Sequence, residues 1–83
     1  MAIDAVIDVI RHRETCYQLW LRPRIDSDGR ATQRGRRRVM IERNPDYVPQ
    51  PGDEIWGNSA ELVISKGGID HKFPVALWGA NHD

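Results

Sequence analysis

Cysteine is nearly absent from this chain, since Cys16 is the only one among 83 residues. A single cysteine excludes an intrachain disulfide, whereas small secreted domains usually depend on several. Long apolar runs are also missing, so no stretch has the length of a membrane-spanning helix. The first four residues lack the basic start and the apolar segment of a signal peptide. We therefore expect a soluble, cytoplasmic protein without a membrane partner.

Lysine is scarce as well, with two residues against ten arginines, and every arginine lies between Arg11 and Arg43. The formal net charge is +0, but it is unevenly distributed. Residues 1–10 carry −2, residues 11–43 carry +6 and residues 44–83 carry −4. Such asymmetry indicates a contact surface more strongly than total charge does.

Metal-ligand patterns are missing too. His12 and Cys16 are four residues apart, and the other histidines, His71 and His82, are far downstream. A structural zinc site normally needs paired, closely spaced ligands. We predict neither a metal nor any other cofactor.

Catalytic patterns are equally weak. A nucleophilic Cys16 would need a neighbouring base, and its strand offers only Gln18 and Trp20 on the same face. The carboxylate pairs Asp53-Glu54 and Asp26/Asp28 fall at a turn and in a loop, where aspartate is common. No recognisable triad is present, so we predict that the protein is not an enzyme.

Several short runs alternate between apolar and polar residues, which is typical of β-strands. Residues 3–10 also fit a helical stripe, but β-branched residues at four of the last five positions favour a strand. Residues 16–22 place Leu19 and Leu21 on one face and Trp20 on the other. We predict further strands at residues 39–43, 54–56, 61–65 (buried on both faces) and 69–78. Pro74 should break or bulge the last of these and belong on a sheet edge.

Turn signals separate these runs. Asp28-Gly29, Pro51-Gly52 and Gly67-Gly68 each combine residues that suit tight turns. Residues 25–36 have no apolar periodicity and are predicted to form one long, flexible, Arg-rich loop, a kind of connection that is usually functional or disordered.

About six short strands without a helix predict an all-β fold. We expect residues 1–83 to form one small antiparallel barrel of the SH3-like or OB-like kind. Closure of the barrel would hide strand edges that otherwise promote aggregation.

The Arg-rich segment is the main candidate site. Guanidinium groups bind phosphates, and an exposed aromatic ring beside them can stack on bases. We expect a binding module that contacts nucleic acid, or a complex that handles it. The predicted binding residues are Trp20, Arg22, Arg24, Arg30, Arg34, Arg36, Arg37 and Arg38.

Two alternatives remain open. The chain fits a small protein-binding inhibitor or adaptor of the kind that phages and mobile elements encode, acting through the Arg loop or the acidic C-terminal half. That half combines Asp46, Asp53, Glu54, Glu61 and Asp70 with Tyr47 and Trp56. The second alternative is that the chain is a structural component with weak self-association, because a net charge near zero gives little colloidal repulsion.

Overall fold

The computed structural model of this chain describes residues 2–79, and its regular structure there consists of strands. The six strands are β1 (Ile3–His12), β2 (Cys16–Pro23), β3 (Arg37–Glu42), β4 (Glu54–Gly57), β5 (Glu61–Lys66) and β6 (Ile69–Trp78). Alternating residues formed strands where the sequence predicted them. None of the structure in residues 2–79 is a helix long and apolar enough to span a bilayer.

The strands close into a barrel in the order β1-β2-β3-β6-β5-β4, and β4 pairs back onto β1. Each half is a three-stranded meander, and all pairings are antiparallel. The predicted fold class, a small antiparallel barrel consistent with the SH3-like and OB-like kinds, is confirmed.

The barrel interior holds the apolar side chains that alternate inward. Those with no exposed surface are Ala5, Ile7, Leu19, Leu21, Val39, Ile41, Ile55, Leu62, Ile64 and Phe73. β5 is buried on both faces, as predicted. Leu62 and Ile64 point inward, and Val63, which points outward opposite Trp56 of β4, is buried as well. Removing this apolar surface from water is the main stabilising contribution in such a small domain.

A bulge interrupts the pairing of β1 with β2. Ile7 pairs with Leu21 and Val9 pairs with Trp20, so Asp8 is an extra residue without a partner opposite it. A bulge bends its strand and re-aims the side chain it carries. Here it brings the Asp8 carboxylate to Arg22 of β2 and to Arg36, which directly precedes β3.

The segment between β2 and β3 has local structure of its own. Ile25 forms an isolated bridge with Ala31, and Asp26 Oδ1 accepts the backbone N–H groups of Asp28 and Arg30. Thr32 ties this turn to the barrel, since its N–H donates to the Arg24 carbonyl and its hydroxyl donates to the Asp4 carbonyl. Residues 25–32 of the Arg-rich loop are therefore anchored to one another and to the barrel.

β6 lies between β5 and β3 in the closed barrel and is not an edge strand, which corrects that expectation, but Pro74 itself pairs on one side only. It pairs with Glu61 of β5, while the pairing of β6 with β3 extends only from Trp78 to Val75. The missing proline N–H is tolerated because no β3 residue pairs with Pro74. A register shift in this ladder accompanies it.

Candidate nucleic-acid interface

The outward side of β1, β2 and β3 carries a cluster of guanidinium groups. Because Leu19, Leu21 and Val39 point into the barrel, the residues that alternate with them point outward. We name this surface the cationic face and define it by Arg11, Arg13, Trp20, Arg22, Arg36 and Arg38. It holds five guanidinium groups, whereas the carboxylates on it are Asp8 and Glu42.

Trp20 lies at the centre of the cationic face. Its ring is partly exposed, and Arg11 Cζ lies 5.5 Å from the ring centroid, within the range of a cation–π contact. Arg38 is directly opposite Trp20 in the β2–β3 register. A partly exposed ring and arginines are therefore neighbours on this face.

Two arginines of this face share one carboxylate. Arg36 Nη2 lies 2.9 Å from Asp8 Oδ2, and Arg22 Nε lies 3.8 Å from Asp8 Oδ1. Both guanidinium groups are largely exposed, so these ion pairs are weak and are screened by salt. One carboxylate cannot neutralise two guanidinium groups, and the pair retains a positive charge.

Arg24 belongs to a different part of the molecule. Its Nε and Nη2 donate to the two Asp4 oxygens at 2.9 and 2.5 Å, and Nε lies 3.3 Å from Glu54 Oε1. The Asp4 hydrogen bond raises the pKa of Arg24, with burial opposing it and the nearby carboxylates adding to it. Arg24 thus connects the loop to β1 and β4, and is not on the cationic face.

The three remaining predicted arginines lie outside the cationic face. Arg30 and Arg34 are exposed in the loop, and neither side chain forms an ion pair or hydrogen bond with another residue of 2–79. Arg37 pairs with Leu21, so strand alternation places it on the inward side at the barrel end, where it is half-buried. The structure thus gathers Trp20, Arg22, Arg36 and Arg38, and leaves the other four elsewhere.

Sequence reasoning missed Arg11 and Arg13. Arg11 pairs with Gln18 across the hairpin, and Arg13 Nε and Nη2 both donate to Gln18 Oε1, at 3.1 and 2.8 Å. The signal was the short polar connector between residues 3–10 and 16–22, because pairing of β1 with β2 across it brings the end of β1 beside Trp20.

One member of the acidic half, Asp53, is not part of its exposed surface. Asp53 is only 4% exposed, and it accepts hydrogen bonds from the Tyr47 hydroxyl at 2.6 Å and the Gln50 N–H at 3.0 Å. Lys66 Nζ lies 2.7 Å from its other oxygen. Asp53 therefore holds residues 44–53, a corner that contains three prolines, against the barrel instead of facing solvent.

These bonds change how the corner titrates. Burial alone would raise the pKa of Asp53, but the bonds from Lys66, Tyr47 and the Gln50 N–H outweigh it and lower that pKa. For Tyr47, burial, the hydrogen bond to Asp53 and the charge of Asp53 together raise the pKa to about 12. The carboxylate is held ionised and the phenol is held protonated.

Trp56 is the exposed tryptophan of the acidic half. It is 45% exposed and borders an open cleft of about 290 Å³ that Asp4, Arg24, Glu54 and Ser65 also line. This cleft lies on β1, β4 and β5, away from the outward side of β2 and β3.

The residues considered for metal binding and catalysis are separate. Cys16 is buried, His12 packs edge-on against Tyr17, and His71 stacks on Tyr47. Within residues 2–79, no three His, Cys, Asp or Glu side chains come together as metal ligands. His82 lies outside the described residues.

Comparison with known proteins adds no relative. No protein family, curated protein or solved structure matches this chain.

Proposed function

We propose that the protein is a non-enzymatic binding module whose cationic face contacts the phosphate backbone of nucleic acid. The observation that carries this proposal is the position of Trp20, with Arg11 5.5 Å from its ring and Arg38 opposite it in the register. Phosphates are the anions that exposed guanidinium groups recognise best, because the planar fork can donate two bonds at once. A cytoplasmic location, which the single cysteine supports, belongs to the same proposal.

The Arg-rich loop supplies two further exposed arginines outside the cationic face. Arg34 is two residues from Arg36 and, like Arg30, has no carboxylate partner in residues 2–79. A phosphate would not have to displace an internal ion pair at either position. Contacts of this type position the protein on a backbone and carry little sequence preference.

A salt titration tests the proposal. The affinity for DNA and RNA oligonucleotides should fall with salt, with a slope of about −0.9 per phosphate contact on duplex and about −0.7 on single strands. Arg11→Gln, Arg34→Gln and Arg36→Gln should each weaken binding and reduce the size of the slope by roughly one contact.

Lys72→Gln is the matched control, because it removes one exposed positive charge from the part of β6 that pairs with β5. It should leave both affinity and slope nearly unchanged. Absence of binding at low salt would refute the proposal. Equal losses in Lys72→Gln and the arginine variants would refute the assignment to the cationic face.

The exposed Trp56 favours a second candidate, a protein partner held in the cleft beside Asp4 and Glu54. Tryptophan is enriched among residues that dominate protein interfaces, and it binds cationic side chains on its face. Under this candidate the protein is a small inhibitor or adaptor of the kind that phages encode, or a self-associating component. A stoichiometric partner that survives nuclease and is lost in Trp56→Ala would support it, whereas retention in Trp56→Ala would contradict it.

A further inference from the structure

An apolar diagonal crosses the cationic face. Val9 pairs with Trp20, and Met40 pairs with Leu77, while Met40 is the diagonal neighbour of Trp20 across β2 and β3. Val9 is 43% exposed and Leu77 is 59% exposed. These four outward side chains form an apolar strip over β1, β2, β3 and β6. Apolar surface that is grouped in this way, and not scattered, marks a binding site.

Positive charge borders this strip. Arg11 lies against the Trp20 ring, and Arg38 occupies the outward position of β3 that precedes Met40. A ligand that suits the strip must therefore offer apolar or aromatic faces and negative charge at the same time. Unpaired bases on a phosphate backbone have both properties, whereas an apolar protein segment offers no negative charge.

The shape of the face also distinguishes single strands from duplex. A duplex hides its base faces in the stack, and its major groove is read by a helix or a two-stranded ribbon that projects into it. The cationic face is the side of a barrel, and residues 2–79 contain no helix. Bases of a single strand can turn outward and stack on side chains that lie on such a sheet.

We infer that the cationic face binds single-stranded nucleic acid and that Trp20, within the strip it forms with Val9, Met40 and Leu77, stacks on an unpaired base. This inference rests on the proposed function and names its substrate class. The arginines hold the phosphates, while the strip provides the contact that a polyanion without bases cannot make.

Two strands of equal charge test the inference. One is a single-stranded oligonucleotide of about 12 nucleotides, within the range of site sizes known for small barrels, and the other is an abasic strand of the same length. The protein should bind the base-bearing strand roughly 5- to 150-fold more tightly, the range that stacking of one base provides. Trp20→Leu should remove most of this preference, because it should weaken binding of the base-bearing strand more than binding of the abasic strand.

Trp56→Leu is the matched control, since Trp56 is an exposed tryptophan outside the cationic face. It should keep the preference of the unmodified protein. Trp20→Phe retains a ring and should keep part of the preference, so it tests stacking even if Trp20→Leu folds poorly.

The possible failures are distinct. Salt-dependent binding of both strands with equal affinity would overturn the stacking inference and leave the proposed function standing. Loss of the preference in Trp56→Leu but not in Trp20→Leu would also overturn it. Failure of both strands to bind at low salt would overturn the inference, and it would overturn the proposed function as well only if a duplex of the same length also failed to bind.

Discussion

Removing the Tyr47 hydroxyl should destabilise the barrel measurably. In Tyr47→Phe, the buried Asp53 carboxylate loses the hydrogen bond that it accepts at 2.6 Å, but it keeps the Gln50 N–H and Lys66. Hydrogen bonds to charged groups contribute about 1.5–3 kcal/mol. Because Tyr47 is only half-buried and two partners remain, we expect a loss of about 1–2 kcal/mol.

Thermal unfolding measures this loss directly. For a domain of this size, about 1 kcal/mol corresponds to roughly 4–8 °C in Tm, so a loss of about 1–2 kcal/mol in Tyr47→Phe should lower the Tm by roughly 4–16 °C at neutral pH. Tyr17→Phe is the matched control, because the Tyr17 hydroxyl makes no hydrogen bond within residues 2–79. It should leave the Tm nearly unchanged.

The pH dependence provides a second, independent test of the same bond. The folded protein raises the pKa of Tyr47 from 10.0 to about 12, so between these values the unfolded chain ionises first and stability falls. This contribution is fully present below pH 10 and is lost as the pH rises through about 12. Tyr47→Phe lacks the contribution, so the difference between the two proteins should shrink over this window. A Tm equal to that of the unmodified protein, or a difference that stays constant from pH 10 to 12, would refute the reasoning.

The remaining stability predictions concern the same corner and one glycine. Lys66→Met removes a bond that lowers the pKa of Asp53, so the pKa of Asp53 in the folded state should rise. During acidification the variant should therefore unfold at a higher pH than the unmodified protein, and an unchanged acid-unfolding midpoint would contradict this. Gly57→Ala should destabilise the protein more than Gly35→Ala does. Gly35 has a positive φ but open space around it, so an alanine there costs only the backbone strain of about 1–2 kcal/mol. A Cβ at position 57 would lie 2.3 Å from the Glu61 carbonyl oxygen, so equal Tm losses in the two variants would show that this close approach is irrelevant.

The strands were predictable because their signal is local. Alternation along β2 assigns Leu19 and Leu21 to the interior, and the structure places them there with no exposed surface. The turn at Pro51-Gly52 follows equally local chemistry, since Gly52 has a φ of 93° that favours glycine. Each of these features depends on neighbours in sequence, which a single chain displays in full.

The partners of the charged residues were not predictable in the same way. Arg24 and Arg22 are two residues apart, yet one binds Asp4 and Glu54 while the other lies near Asp8. These choices depend on strand order and on the bulge at Asp8, and periodicity encodes neither. The burial of Asp53 has the same origin, because its partner Lys66 lies at the far end of β5.

Mapping of backbone amide chemical shifts by NMR during titration with a single-stranded oligonucleotide tests the central claim most directly. The largest changes should fall on Arg11, Trp20, Arg22, Arg36 and Arg38, and they should diminish as salt is added. Glu54, Trp56 and Lys72 should change little, because they lie on the other strands of the barrel. Changes concentrated around Trp56, or spread evenly over the barrel, would contradict the assignment of binding to the cationic face.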